Sequence, residues 1–326
     1  MRVAVVGGAG YVGSVLCPML AEDKNISDLC VVDTFWFWNH VGDYQDLFSE
    51  ESFPKLDLRV WDMRDPMEDV LEGCDVVINL ACLSNDISSD LDRNFTHSIS
   101  YDGVMNVIKT CEKLDIKRII QVSSGSVYGV QEKPVSEDTY PLPITQYAII
   151  KMELDHYLQN LMNYEDYDIT ILRPATLYGV SPRQRIDLMV NIFARKIATG
   201  EPIVVHGGSQ SRPALHVKDF SETIHQIVNN EKSYNQIYNV SKEAMTVLEY
   251  ANLFKDIYPE AEIIIEDVVD QRSWRTNSEK LYRHLGIINK TKLKNGIKEL
   301  VAKFSDPNFC DERTVNIQVV RGLLCH

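Results

Sequence analysis

The sequence predicts an α/β protein built on a doubly wound parallel sheet, with a smaller C-terminal α/β domain beside it. Three observations predict this class. Short apolar runs without alternation (RVAVV, LCVVD, DVVINLA, RIIQV, DITILRPA) have the pattern of strands buried on both faces. Helical spacing fills the intervals between them, as parallel strands require. A glycine-rich turn, GGAGYVG at 7–13, joins the first run to the first helix.

Taken in order, RVAVV passes through that turn into a helix marked by Val12, Val15, Leu16, Met19 and Leu20. LCVVD at 29–33 is the second strand and DVVINLA at 75–81 the next. A helix over about 98–114 leads to RIIQVSS at 118–124, and a long one over 145–163 leads to DITILRPA at 168–175. These elements set a first domain at 1–175, to which some later strands and helices return. Beyond it the rhythm loosens. Helices at 186–199, 219–230, 246–258, 279–285 and 293–304 accompany the strands PIVVHG and EIIIEDV, and 176–326 is expected to be mainly a substrate domain. No repeat or low-complexity linker marks the boundary.

Composition narrows the function classes. A formal charge of −14 argues against nucleic acid or an anionic membrane as partner, since both need a basic footprint. The basic stretch at 289–304 is expected to be a solvated amphipathic helix. No apolar run approaches the roughly 18 residues of a membrane span, and no basic region precedes an apolar stretch at the start, so a cytoplasmic protein is expected. Seven scattered cysteines without a C-x-x-C pair suggest neither disulfides nor zinc, and the eight histidines lack metal-like spacing. No metal is expected.

Gly7, Gly10 and Gly13 have distinct tasks in a strand–turn–helix of Rossmann type. Gly7 permits the tight turn, Gly10 lets the backbone around Tyr11 and Val12 approach a pyrophosphate, and Gly13 lets helix and strand pack closely. Asp33 ends the second strand, 20 residues after Gly13, where a carboxylate accepts from a ribose 2′-hydroxyl and repels a 2′-phosphate. Thr34, Phe35 and Trp36 follow without a basic residue, so NAD is expected over NADP. The cluster FWFWNH at 35–40 is expected either to cover the adenosine or a neighbouring subunit, or to pack on its own domain.

Tyr147 and Lys151 stand one helical turn apart, and Ser123 and Ser124 lie at the carboxyl end of a strand, where such sheets bind ligands. Together they suit proton transfer. The lysine is expected to lower the tyrosine pKa, the phenolate to take a proton from a substrate hydroxyl, and a serine to hold the same oxygen. His216 is expected to pack beside the sheet.

The G-x-x-G-x-x-G turn, SSGSVYG, YAIIK and LRPATLYG together resemble the extended short-chain dehydrogenase/reductases, in the nucleotide-sugar epimerase/dehydratase group, over residues 1–285. The resemblance implies catalytic Ser124, Tyr147 and Lys151, with Tyr147 and Lys151 also at the nicotinamide ribose. It implies adenine contact at Asp62, beside Met63, and a cofactor lining from Leu80 and Ala81. Arg212 matches an arginine that binds a nucleotide diphosphate, and Arg272 resembles a second. Thr176 falls where many members carry an asparagine facing that diphosphate, and Pro213 replaces the usual acid after Arg212. Ser84 and Asn85 are expected at the sugar. A nucleotide-diphosphate sugar as substrate and a homodimer as assembly are implied as well.

The 4,6-dehydratases of that group read T-D-E-V-Y-G where this chain has Ser124, Gly125 and Ser126 before VYG. Neither Gly125 nor Ser126 supplies the acid or base that eliminating water requires. The expectation is therefore an epimerase acting at C4. A one-way C4 dehydrogenase or keto-sugar reductase is the alternative, and a non-catalytic dinucleotide sensor a more distant one. Asp86 is the carboxylate that could reach the site from elsewhere.

Overall fold

The computed structural model describes residues 1–84, 86–164, 166–268, 272–307, 309 and 314–324. Its centre is a seven-stranded, wholly parallel sheet made from β1 (Arg2–Val6), β2 (Asp28–Asp33), β3 (Leu56–Val60), β4 (Val76–Asn79), β5 (Arg118–Val122), β6 (Asp168–Pro174) and one late strand. After β6 come β7 (Thr176–Tyr178), β8 (Ile203–His206) and β9 (Ser211–His216), then β10 (Gln236–Val240), β11 (Glu243–Thr246) and β12 (Ile263–Glu266). The central order is β10-β6-β5-β4-β1-β2-β3. The chain winds outward from β1 to β3 and then in the other direction from β4, so a crevice opens between β1 and β4 at their carboxyl ends.

Apolar runs form these strands because both faces are covered. On one face Val3, Val5, Leu29 and Val31 pack with Leu16 and Leu20 of the first helix, Gly13–Glu22. Phe220 and Ile224 of helix Val217–Ile227 and Leu281 of helix Glu279–Leu285 join them. On the other face Ala4, Val6 and Val77 meet Val107 and Ile108 of helix Val104–Lys113 and Leu154 of helix Gln146–Leu161. β10 pairs with β6, which carries a late segment back to the central sheet. A third core lies between helices Met189–Ala198, Val247–Ile257 and Leu293–Phe304, beside the small sheet β11-β9-β7 and the pair β12-β8.

Several elements differ from the periodicity. The helix expected over 98–114 opens as a π-helix at Ser98–Gly103, where the Ser100 hydroxyl accepts from the Leu83 amide at 3.0 Å. The Gly103 backbone passes so close to Met63 that a Cβ would meet its side chain at 2.9 Å. β3 escapes periodicity because its faces are only half-buried or exposed, as befits an edge strand, and β9 because it carries Arg212 and Pro213. Helix Asn316–Leu324 packs beside helix Asp86–Ser89 and sends Val320 into the core on that face of the sheet.

A buried ion pair fixes the long helix to the sheet. Arg173 of β6 donates to Asp155 at 2.9 Å and to the Tyr128 hydroxyl at 3.0 Å, and Tyr128 donates to Asn239 of β10 at 2.8 Å. Leaving one charge of such a pair alone costs about 3–5 kcal/mol, so this network holds one geometry of the helix that carries Tyr147. Among the described residues no helix is long and apolar enough to cross a membrane, and no cluster of His, Cys, Asp or Glu could hold a metal ion.

Candidate active site

A cavity of about 630 Å³ occupies the crevice, walled by the strand ends on one side and by the second half of the chain on the other. Every site residue expected from the sequence and described by the structure lines this one cavity. Asn85 lies outside the described residues.

The cofactor side is backbone architecture. Gly7 turns the chain with φ +81°, and a Cβ there would meet the Ala81 amide nitrogen at 2.7 Å. A Cβ on Gly13 would run into the Gly8 carbonyl. Above Gly10 a Cβ would meet only the Gly7 oxygen, at 3.1 Å, so that glycine leaves open room over the turn. The first helix carries no acidic residue in its opening turn, which leaves its positive end available to an anion. The Tyr11 side chain leaves the turn and donates to the Gly179 carbonyl at 2.7 Å, so its share in the cofactor site is its backbone.

Asp33 accepts from the Ala9 amide at 3.0 Å and the Phe35 amide at 2.9 Å. Burial pushes its carboxyl up, against the pull of those amides. The FWFWNH cluster divides: Trp36 and Phe37 face the cavity, while Phe35 and Trp38 pack edge-on against Tyr44 of their own domain. Asp62 reaches the cavity beside Met63, with both oxygens taken by Arg64. Burial pushes the Asp62 carboxyl up, but its hydrogen bonds to Arg64 outweigh this and hold it below its ordinary value.

At the reacting end, three serines have separate duties. Ser123 is buried, with its amide bonded to the Leu172 carbonyl at 2.8 Å. Ser124 caps the turn Gly125–Tyr128 by accepting from the Ser126 amide at 3.1 Å, it also accepts from the Ser126 hydroxyl at 2.9 Å, and its hydroxyl lies near enough to Tyr147 to favour the phenolate. Lys151, buried, donates to the Val122 carbonyl at 2.9 Å and lies 5.9 Å from the centre of the Tyr147 ring. The expectation that the lysine lowers the tyrosine pKa is corrected here. Burial dominates and holds the Tyr147 phenol well above its ordinary value.

The substrate side is built from charges. Arg212, on β9, lies over the Trp274 ring at 5.0 Å and donates to the Arg272 carbonyl. Arg272 in turn bridges Asp86, so this predicted diphosphate ligand also restrains a carboxylate of the cavity lining. Thr176 opens β7 at the cavity wall. Ser84 accepts from Arg185 at 3.0 Å. His216 caps helix Val217–Ile227 and packs edge-on against Tyr178 at 5.1 Å.

Among the lining residues that sequence reasoning missed are Arg183, Arg185, Asp187, Trp274 and Asn316. Arg185 and Asp187 form a buried pair at 2.8 Å, in which burial pushes the Asp187 carboxyl up and Arg185 pulls it below its ordinary value. The compact string SPRQRID, set in apolar surroundings, was the available signal for the first three. Trp274 and Asn316 had none.

A glycine cradle, a carboxylate at the second strand end and a Ser–Tyr–Lys set in one cavity define a dinucleotide-dependent enzyme of short-chain dehydrogenase type. A model of the NAD dependent epimerase/dehydratase family matches residues 3–241, and the chain belongs to that family. Its cofactor is NAD, and the open turn over Gly10 fits the group. Among curated relatives, the uncharacterized UDP-glucose epimerase YtcB of Bacillus subtilis is 26% identical over 79% of this chain and 82% of its own. The dTDP-D-glucose 4,6-dehydratase of Homo sapiens is 23% identical over 96% of this chain and 92% of its own. The UDP-glucose 4-epimerase of Thermotoga maritima, solved with UDP-glucose, superposes with a TM-score of 0.80 at 25% identity, over 93% of this chain and 98% of that one.

Proposed function

We propose that the protein is a nucleotide-sugar 4-epimerase. The observation that carries this reading is the reacting end of the cavity, beside which position 125 holds a glycine and no acid. Ser124, Tyr147 and Lys151 converge there, while a Cβ on Gly125 would meet the Pro174 carbonyl at 3.1 Å and the Trp274 indole nitrogen at 3.2 Å. Position 125 thus carries no acid and is closely hemmed in. This supports oxidation at C4 without elimination of water.

Bound NAD supplies the hydride acceptor. Tyr147 receives the proton of the sugar 4-hydroxyl, and Ser124 holds the same oxygen. Lys151 supplies the positive charge that favours the phenolate. In the return step Tyr147 gives the proton back to the sugar oxygen after the 4-keto sugar has turned its other face. Arg212 and Arg272 receive the nucleotide diphosphate, which a planar guanidinium can bind through two oxygens. A cytoplasmic homodimer completes the reading on family resemblance, and light scattering checks the assembly.

The test is a thermal-shift screen of UDP-, GDP-, CDP- and dTDP-sugars followed by mass spectrometry of the product. An isobaric product, with NAD released from the protein on denaturation, is expected. A product lighter by two hydrogens would make the enzyme a dehydrogenase, and one lighter by a water would end the epimerase reading.

A further inference from the structure

Arg183 is a buried cation with only neutral partners. It is 5% exposed, and its guanidinium stacks on the Phe37 ring at 3.6 Å. One terminal nitrogen donates to Asn316 at 2.5 Å and the other makes a long contact to the Gln184 carbonyl at 3.5 Å. Its buried Nε has no acceptor. Two neighbouring arginines on this wall have carboxylates, Arg185 with Asp187 and Arg272 with Asp86, whereas Arg183 makes no ion pair among the described residues.

Its position is set by the glycine turn. The Arg183 amide donates to the Ser14 hydroxyl at 3.3 Å, in the opening turn of the first helix. Ser181 donates to the Tyr11 carbonyl at 2.7 Å and pairs with the Ser14 hydroxyl at 2.9 Å. The loop carrying Arg183 is thus tied to the end of the helix that Gly10 leaves open, and Phe37 brings the guanidinium toward the loop after Asp33. Burial and the like charge of Arg185 push its pKa down to about 9, while Asp187 and Asp33 pull it back. A second, acidic partner would relieve that cost.

We propose that Arg183 is the counter-charge of the NAD pyrophosphate. It closes over the diphosphate from the second half of the chain, opposite the glycine turn, and Asn316 of the C-terminal helix orients it. Asn316 also donates to the Ser84 carbonyl at 3.2 Å, so the same side chain joins the cofactor clamp to the segment that follows β4. The proposal rests on NAD as the cofactor and is independent of the sugar that is turned over.

Binding, not turnover, tests it. On protein stripped of cofactor, calorimetric titration of Arg183→Gln with NAD and ADP-ribose is expected to show at least tenfold weaker binding of both. Binding of UDP, GDP, CDP or dTDP, whichever the parent protein takes, should be unchanged, and the apo Tm should be no lower. Affinities for NAD and ADP-ribose within twofold of the parent would overturn the proposal. So would a loss confined to the nucleoside diphosphates, which would assign Arg183 to the substrate. Asn316→Asp provides a second measurement if Arg183→Gln does not fold. A carboxylate there gives Arg183 an internal partner, so NAD affinity should fall tenfold while the apo Tm rises. A contact that is only structural would raise the Tm and leave NAD affinity unchanged.

Discussion

The two walls of the cavity, the one expected to take the cofactor and the one proposed for the substrate, are built by different means. The cofactor wall works by omission: Gly7, Gly10 and Gly13 leave space, and backbone amides and a helix end supply the electrostatics. The substrate wall works by addition, through guanidinium groups held in place by Asp86, Asp187 and Trp274. A backbone wall tolerates no added atom, whereas a side-chain wall can change one residue and keep its shape. The first should therefore fail abruptly under substitution and the second by degrees.

Gly13→Ala tests the abrupt case and carries the largest expected effect. Its Cβ meets the Gly8 carbonyl, which belongs to the turn itself and has no flexible end to move aside. Overpacking of this kind costs about 1–3 kcal/mol. The helix end would also be displaced from the pyrophosphate, so NAD should be absent from the purified protein. Full NAD occupancy, measured after denaturation, would show that the turn is not the cradle.

Tyr147→Phe comes next. The ring still packs, but the acid–base group is gone, so turnover should fall by about 10²–10⁴ with NAD binding nearly intact. Retention of a tenth of the parent activity would remove Tyr147 from proton transfer.

The same contrast explains what could be read beforehand. Glycine spacing and apolar runs are local, so the sheet, its first helix and the cofactor turn were readable, as were Tyr147 and Lys151 on one helical face. Trp274 reaches the cavity from the β12–helix connection and Asn316 from the first turn of the last described helix, and nothing in their neighbours marks that destination. The tyrosine pKa was misjudged for a related reason. Charge proximity is visible in a Y-x-x-x-K string, but the burial that outweighs it is a property of the folded cavity.

Asp187→Asn tests the gradual wall. Arg185 pulls the Asp187 carboxyl below its ordinary value, so the pair's contribution to stability is fully present above the unfolded value of about 3.9 and is lost as pH falls through the lower folded value. At neutral pH the variant leaves Arg185 buried and unpaired, at a cost of about 3 kcal/mol. As pH falls below about 3.9 the difference from the parent should begin to shrink. A stability gap that is constant from pH 7 to pH 3 would mean the pair contributes by packing and not by charge.

The smallest expected effect lies where the two walls meet. Asp33 accepts the Ala9 and Phe35 amides, is half-buried and feels the Arg183 charge. A 2′-phosphate placed beside this carboxylate would be repelled, and both amides that could have bound it are already occupied. Asp33→Ala removes the repulsion and frees the two donors, and Thr34→Arg adds a cation on the cavity lining. The double variant should lose affinity for NAD and gain it for NADP, moving the ratio of their dissociation constants by about tenfold, or about 1.4 kcal/mol. Arg183 should aid the shift, since removing Asp33 leaves its charge less compensated. The readout is paired titration of both dinucleotides into stripped protein. An unchanged ratio would mean that Asp33 shapes the turn without reading the ribose, and the cofactor wall would then discriminate by its backbone alone.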